Sequence, residues 1–461
     1  MISLFKHCRA KAVSTKSKMR NDKFAPAFTL TPPEKFSARI KLPASKSISN
    51  RALLINALAG NMELPNNLSD SDDTRVMLHA LDRPLPSLKG RELERIFIGA
   101  AGTAMRFLTA YLSVTPGEYV ITGTERMCHR PIAILVDALR QLGASITYEG
   151  EEGFPPLHIV GRDNLEGGCL TVPGDVSSQY ISALLMIAPT LKNGLRLTLT
   201  GQIASRPYLD MTIAMMRDFG AKVEWDGENV IEVKPGSYQC RTYHIESDWS
   251  AASYWYEMVA LSRNANAEVD LLGLHRDSIQ GDSRVWHLFA ELGVETQFYT
   301  EPDGMEVTRL RKGGKMTSHF SCDFTHQPDL AQTFAVTCFM LGVPFRLSGL
   351  QSLRIKETDR IAALVKELGK IGDAPTPIKT PSNSSLGEEL ISSPLRGGWE
   401  GSLEGLLNFD TYEDHRMAMS LAPVCLRTGG PIQINNPQVV SKSYPGFWED
   451  LRIAGFALND K

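Results

Sequence analysis

Apolar residues recur at helical spacing from Ala52 onward: Leu53, Leu54, Ala57 and Leu58 share one stripe, and Gly60 marks its end. A short extended run closes at Pro43 ahead of it, and a Ser/Lys stretch lies between. Ser47 or Ser49 is the expected cap of the first turn, because a short hydroxyl can accept from the unpaired N–H groups there. A helix pattern that closes on glycine and leads into a strand then recurs. It reads LRQLGASITYEG at 139–150, MRDFGAKVEWDG at 216–227 and FAELGVETQFYT at 289–300, with VKELGKIG at 365–372 as a weaker fourth copy. The glycines, Gly143, Gly220, Gly293 and Gly369, stand 77, 73 and 76 residues apart. So long a period predicts a repeated α/β unit of several strands and helices, not a short solenoid repeat. Each glycine is expected just past its helix. The strand after it alternates, with Ala221, Val223 and Trp225 set against Lys222, Glu224 and Asp226.

The helix starts carry the stronger signal. GAAGTAMRFLTAYL (99–112) has Gly99 and Gly102 in a turn, Thr103 as the expected cap and Arg106 in the first turn. HRPIAILVDAL (129–139) sets Arg130 before Pro131, and SRPYLDMTIAMM (205–216) sets Arg206 before Pro207; proline suits the first helical position. KETDRIAALVKELG (356–369) spaces Lys356 and Arg360 four apart, on one face of an expected helix. DHRMAMSLAPVCL (414–426) opens with Asp414 as cap and then Arg416. With Arg51, six helix starts bear cations, although the positive end of the helix dipole disfavours each by roughly 0.3–1 kcal/mol. One such residue is an ordinary surface arginine. Six in the same disfavoured place predict helix N-termini converging on bound anions, where N–H groups and cations act together.

Bulk properties narrow the reading. At 461 residues two domains are expected. A net charge of −3 offers no general attraction to nucleic acid or to a membrane surface, so an anion site must come from local clustering. Seven dispersed cysteines with no CxxC pair, and ten histidines without HxxxH or HExxH spacing, argue against a disulfide framework, structural zinc or any metal site. No apolar run approaches the roughly 18 residues of a membrane helix. A P-loop and a dinucleotide fingerprint are absent, so the anion is not expected to be a nucleotide triphosphate. Residues 1–24 open with six cations and no acid before Asn21. They are read as a disordered extension or a misassigned start ahead of Met19 rather than a transit peptide, and a cytoplasmic enzyme is expected.

Other polar clusters admit two readings each. Ser177, Ser178 and Gln179 open an apolar helix, as caps or as donors and acceptors for a polyol or phosphate. Asp329 stands where another helix begins, as a cap or as a general base. Glu357 lies between Lys356 and Arg360, which would keep it ionised unless substrate binding desolvates it. Lys442, alone, reads as surface, and Cys128 lacks an evident His partner for a nucleophile role.

Together LPASKSISNRALL, GAAGTAMRFL, RPIAILVDALRQLGA, SSQYISALLM, SRPYLD, DSIQGD, QPDLAQT, IKETDRIAAL, DHRMAM and VVSKSYPGFWEDL make the chain resemble the EPSP synthase family of enolpyruvyl transferases, in family order from about residue 40 to 452. The resemblance implies an α/β fold of two lobes, each of three βαβαββ repeats, with helix N-termini facing the cleft. It also implies an inserted lobe at 45–244 and a second lobe from 25–44 plus 245–461. The implied reaction moves the enolpyruvyl group of phosphoenolpyruvate to the 5-hydroxyl of shikimate 3-phosphate, without metal or organic cofactor, in a monomer. Carried over by position, Lys46, Ser47, Arg51, Ser177, Ser178 and Gln179 would hold the shikimate phosphate. Ser205, Tyr208, Asp329, Ser352 and Lys356 would complete that set. Lys46, Gly102, Arg130, Gln179, Arg360, Arg416 and Lys442 would hold phosphoenolpyruvate. Asp329 is the implied base on the hydroxyl, Glu357 the implied acid on the methylene carbon, and Lys46 a third catalytic group.

Some positions depart from the family pattern. Ala100 stands where a polar residue is usual, Ser352 where Asn is expected, and Cys128 and His129 where charged residues are usual. Residues 376–405 are Pro/Ser/Gly-rich and longer than the family needs, which predicts a mobile surface loop. The related transferase acting on UDP-N-acetylglucosamine and a non-catalytic anion-binding relative are the alternatives. KETDR with DHRMAM disfavours the first, and the presence of Asp329, Glu357 and Lys46 disfavours the second.

Overall fold

A computed structural model describes residues 27–460 apart from 62, 83–92, 380–387 and 393–404. Its repeating unit is clearest at Glu94–Phe97, helix Gly102–Ser113, Gly117–Thr122, helix Ala133–Gln141, Ser145–Tyr148 and Leu157–Gly161. The first two strands pair in parallel across the helix, and a closing hairpin adds the fourth strand antiparallel to the second. The unit that runs from Gly168–Pro173 to Val230–Val233 repeats this order, as does that from Phe320–Asp323 to Glu388–Ser392. In a fourth sheet the first strand, Ser37–Lys41, lies parallel to Glu268–Leu272, so the intervening chain is inserted between a strand and its helix Trp249–Leu261. In the fifth sheet the closing strand is Ala27–Thr31, which pairs with Ile432–Asn435 and Ala457–Asp460 and joins the two ends of the described chain. A sixth unit contributes helices Lys46–Leu58 and Asp72–Leu81. Its strand pairing among the described residues is reduced to the bridges Ala44–Ser247 and Asn66–His244.

Apolar side chains gather in two cores. One runs from Ala44 to Ile245; the other joins Phe28–Leu42 to Trp249–Phe456. Chain crossings between them occur at 42–44 and 245–249, where the residues change from one cluster to the other.

Several local expectations change. The first helix begins at Lys46, one residue before Ser47, and Ser45 at its N-cap makes no side-chain cap bond. Its leading N–H, Lys46 N, donates instead to Asp248 Oδ2 at 3.3 Å, so a carboxylate some 200 residues away does the capping. The helix after the GAAG turn begins at Gly102, which leaves Thr103 inside it. Pro131 stands two residues ahead of Ala133–Gln141, and Lys356 precedes Arg360–Leu368 instead of sharing its face. Asp329 lies in a 3-10 turn, Pro328–Leu330, and caps nothing. Gly60, Gly143, Gly220 and Gly293 adopt positive φ as helix-ending glycines do, whereas Gly369 is αR at φ −63°. The stretch read as a loop from 376 contains two strands, Thr376–Lys379 and Glu388–Ser392. The second buries Leu390, and its buried Glu389 receives a two-pronged contact from Arg346 at 2.9 Å. Short strands between proline and serine are hard to see in composition; the remainder of 376–405 lies outside the described residues except Gly405, as do residues 1–24.

Candidate active site

Between the two cores opens a cleft. From the Ala44–Ile245 side come Lys46, Ser47, Arg51, Gly102, Arg130, Ser177, Ser178, Gln179 and Tyr208; from the other come Asp329, Lys356, Glu357, Arg360 and Arg416. Most stand at or just before helix starts, so backbone N–H groups and cations face the same space. Ser205, Ser352 and Lys442 do not line it. Ser205 is held left-handed at φ 55° while its N–H donates to Thr325 O across the two cores, 2.9 Å away. Ser352 lies in the turn Gln351–Ile355, and Lys442 Nζ donates to the Glu413 carbonyl at 2.8 Å beside the lining residue Ser443.

Among the carboxylates described in the lining, Asp329 is the most heavily contacted. Arg416 Nη2 lies 2.8 Å and Arg360 Nη1 3.3 Å from it, Lys356 Nζ 3.7 Å, and the Tyr208 hydroxyl donates at 3.3 Å. Burial would raise its pKa, but these three cations outweigh burial and hold it far below the usual carboxylate range. Glu357 shows the same balance. Burial pushes it up, and Arg360, at 3.0 Å, with His415, Arg130 and Lys46 beyond, drives it well down. Arg360 is itself fixed by Asp414, with Nε 2.7 Å from Oδ2, and Asp414 caps the helix that carries Arg416. One carboxylate therefore orients two cationic helix starts.

On the opposite wall Arg106 Nη1 donates to Gly102 O at 2.7 Å, and both Arg106 and Arg130 press against Gly102. A Cβ there would fall 2.5 Å from Arg106 Nη1 and 2.7 Å from Arg130 Nη1, so only glycine leaves both guanidiniums in place. Burial and the neighbouring Arg106 push Arg130 down. Arg51 is buried and has no carboxylate partner among the described residues. It donates to Thr212 Oγ1 at 2.7 Å, Ser47 O at 2.9 Å and Ser182 Oγ at 3.1 Å, and burial lowers it to about 10. Gln179 Nε2 donates to Thr103 Oγ1 at 3.2 Å.

Sequence reasoning missed Asp73, Asp248, Ser250, Tyr254, His415 and Tyr444 in the lining. His415 could have been found, since it sits between the two functional residues of DHR. Neither ring nitrogen has a hydrogen-bond partner among the described residues, and burial, with Lys46 close by, holds it well below its usual range. Asp248 and Ser250 gave no signal beyond helix capping.

An α/β chain of two cores with a cationic cleft between them has the fold of solved EPSP synthases. A structure of the enzyme from Acinetobacter baumannii superposes with TM-score 0.71 at 23% identity, over 94% of this chain and 99% of that one. The family model for EPSP synthase (3-phosphoshikimate 1-carboxyvinyltransferase) matches residues 30–451, and the chain belongs to that family. A 3-phosphoshikimate 1-carboxyvinyltransferase from Bacteroides fragilis is 54% identical over 434 residues, covering 94% of this chain and 98% of that protein. One from Shewanella pealeana is 36% identical over 442 residues, with 92% and 98% covered.

Proposed function

We propose that this chain is a transferase that moves the enolpyruvyl group of phosphoenolpyruvate to the 5-hydroxyl of shikimate 3-phosphate. The products are 5-enolpyruvylshikimate 3-phosphate and phosphate, on the route to chorismate and the aromatic amino acids. Membership of the family supports the reaction. The single observation that supports the site is the convergence of Arg130, Lys46, Lys356, Arg360 and Arg416 on one cleft that also holds Asp329 and Glu357. Two multiply charged substrates need several cations, and two proton transfers need two carboxylates.

In this reading Asp329 accepts the proton of the 5-hydroxyl as its oxygen bonds to C2 of phosphoenolpyruvate, while Glu357 gives a proton to C3. The adduct then loses phosphate from C2 and a proton from the new methyl group, which restores the double bond. Both carboxylates are held ionised in the free protein by the cations around them. Substrate phosphate and carboxylate groups draw on those same cations, which returns each carboxylate toward the range where it can trade a proton. Lys46, Ser47, Arg51, Ser177, Ser178, Gln179, Tyr208 and Lys356 are read as the shikimate phosphate set, with Ser205 and Ser352 reached through their neighbours. Gly102, Arg130, Arg360 and Arg416 are read as the phosphoenolpyruvate set, and Lys442 would join it by releasing the Glu413 carbonyl.

The two apolar cores support lobes at 45–244 and at 25–44 plus 245–461. We read the protein as a cytoplasmic monomer; no helix among the described residues is long and apolar enough to cross a membrane. Phosphate release from phosphoenolpyruvate tests the reading. It should require shikimate 3-phosphate and should not occur with UDP-N-acetylglucosamine; release with the sugar nucleotide alone would overturn it.

A further inference from the structure

Ser250 lines the cleft in the first turn of helix Trp249–Leu261, beside the capping residue Asp248. Its hydroxyl proton is already committed, since Ser250 Oγ donates to Asp282 Oδ2. Asp282 is 3% exposed in the turn Gly281–Arg284, and its Oδ1 has no partner among the described residues. This turn is pressed against the other lobe: a Cβ on Gly281 would fall 2.4 Å from Pro207 Cβ. The backbone beside Asp282 is therefore held by the contact with the other lobe. A hydroxyl has one proton and two lone pairs. With the proton spent on a buried carboxylate, Ser250 can show the cleft only lone pairs.

The charge of this wall agrees. Asp248, Asp282 and Asp329 lie together here, near enough that the other two help burial to push Asp282 up to about 7 against the pull of Arg416 and the Ser250 bond. A phosphate or carboxylate group placed here would meet these carboxylates, whose charge is already matched by Arg416 against Asp329 and by the Lys46 helix start against Asp248. A neutral hydroxyl donor is the group that fits.

We propose that Ser250, oriented by Asp282, accepts a hydrogen bond from the second free hydroxyl of the acceptor substrate and so selects a vicinal diol. In shikimate 3-phosphate that group is the 4-hydroxyl, and the assignment rests on the function proposed above. Ser250 touches the substrate; Asp282 is a positioning residue that fixes which way the Ser250 proton points. An acceptor lacking the hydroxyl leaves a polar group unpaired inside a closed site, and this discriminates more strongly than lost contact area does.

The test compares shikimate 3-phosphate with its 4-deoxy analogue at pH 8, where Asp282 is ionised, using wild type, Ser250→Ala and Asp282→Asn. Wild type should show a KM about tenfold higher for the analogue, with a smaller change in kcat. Ser250→Ala should raise KM for shikimate 3-phosphate about tenfold and leave that for the analogue unchanged. Asp282→Asn, whose amide can donate to Ser250 and turn its proton toward the cleft, should follow Ser250→Ala. Equal use of both acceptors by wild type, which involves no variant, would overturn the proposal. So would Ser250→Ala weakening both acceptors alike, the mark of a structural role. Calorimetric affinities for the two acceptors without phosphoenolpyruvate test the contact even if no turnover occurs, which separates failure of this contact from failure of the proposed reaction.

Discussion

Arg416 Nη2, itself buried, lies 2.8 Å from Oδ2 of the half-buried Asp329 in an ion pair that spans two helix starts within one lobe. The contact makes Asp329 a poor base until something else engages the arginine.

Asp329→Asn keeps the size of the side chain and its contact with Tyr208, but removes the proton acceptor. Its kcat should fall about 10²–10⁴-fold, with a much smaller change in KM for shikimate 3-phosphate. Steady-state kinetics at saturating phosphoenolpyruvate read this directly, and a kcat within a few-fold of wild type would assign the base elsewhere.

Gly102→Ala puts a methyl group where Arg106 Nη1 and Arg130 Nη1 now stand, at 2.5 and 2.7 Å. Both obstacles are ends of long side chains, so the fold should survive and the guanidiniums should move. KM for phosphoenolpyruvate should rise by about tenfold or more, since a displaced charged contact costs about 1.5–3 kcal/mol. KM for shikimate 3-phosphate should change little, and the melting temperature should hold.

Arg51→Met removes a buried guanidinium while keeping its stem. Thr212, Ser182 and the Ser47 carbonyl lose their donor, which predicts a loss of about 1–3 kcal/mol. Denaturant unfolding measures it, and the Ser47 turn should bind the shikimate phosphate more weakly as well.

Asp282 gives a pH signature in stability. Its folded pKa of about 7 lies above the ordinary carboxyl value, so between pH 4 and 7 the folded state holds a proton that the unfolded chain has released. Stability from this group is therefore complete below about pH 4 and is lost as pH rises through about 7. Asp282→Asn, which cannot ionise, should gain in melting temperature relative to wild type between pH 5 and pH 8. A constant difference across that range would contradict the assignment.

Much of this was legible in the sequence because it is local. The glycine-closed helices at Gly143 and Gly220 and Arg416 behind its Asp414 cap sit where period and capping rules put them. What was hidden depends on residues far apart in the chain. Asp248 caps the Lys46 helix, Ala27–Thr31 pairs with Ile432–Asn435, and Asp282 reaches Ser250. No spacing rule connects such positions. Glu388–Ser392 escaped for a different reason: proline and serine around it masked a five-residue strand whose central Leu390 is buried against its sheet.

The central claim is that Glu357 delivers a proton to the methylene carbon of phosphoenolpyruvate within this cleft. The most direct measurement is deuterium content at that carbon after turnover in D₂O, read by NMR in the product and in recovered phosphoenolpyruvate. Wild type should place solvent deuterium on the methylene group, because the intermediate methyl loses any of its three hydrogens. Glu357→Gln should bind both substrates within about threefold of wild type yet incorporate none. Deuterium incorporation that persists in Glu357→Gln, or that is missing from wild-type product, would contradict the account.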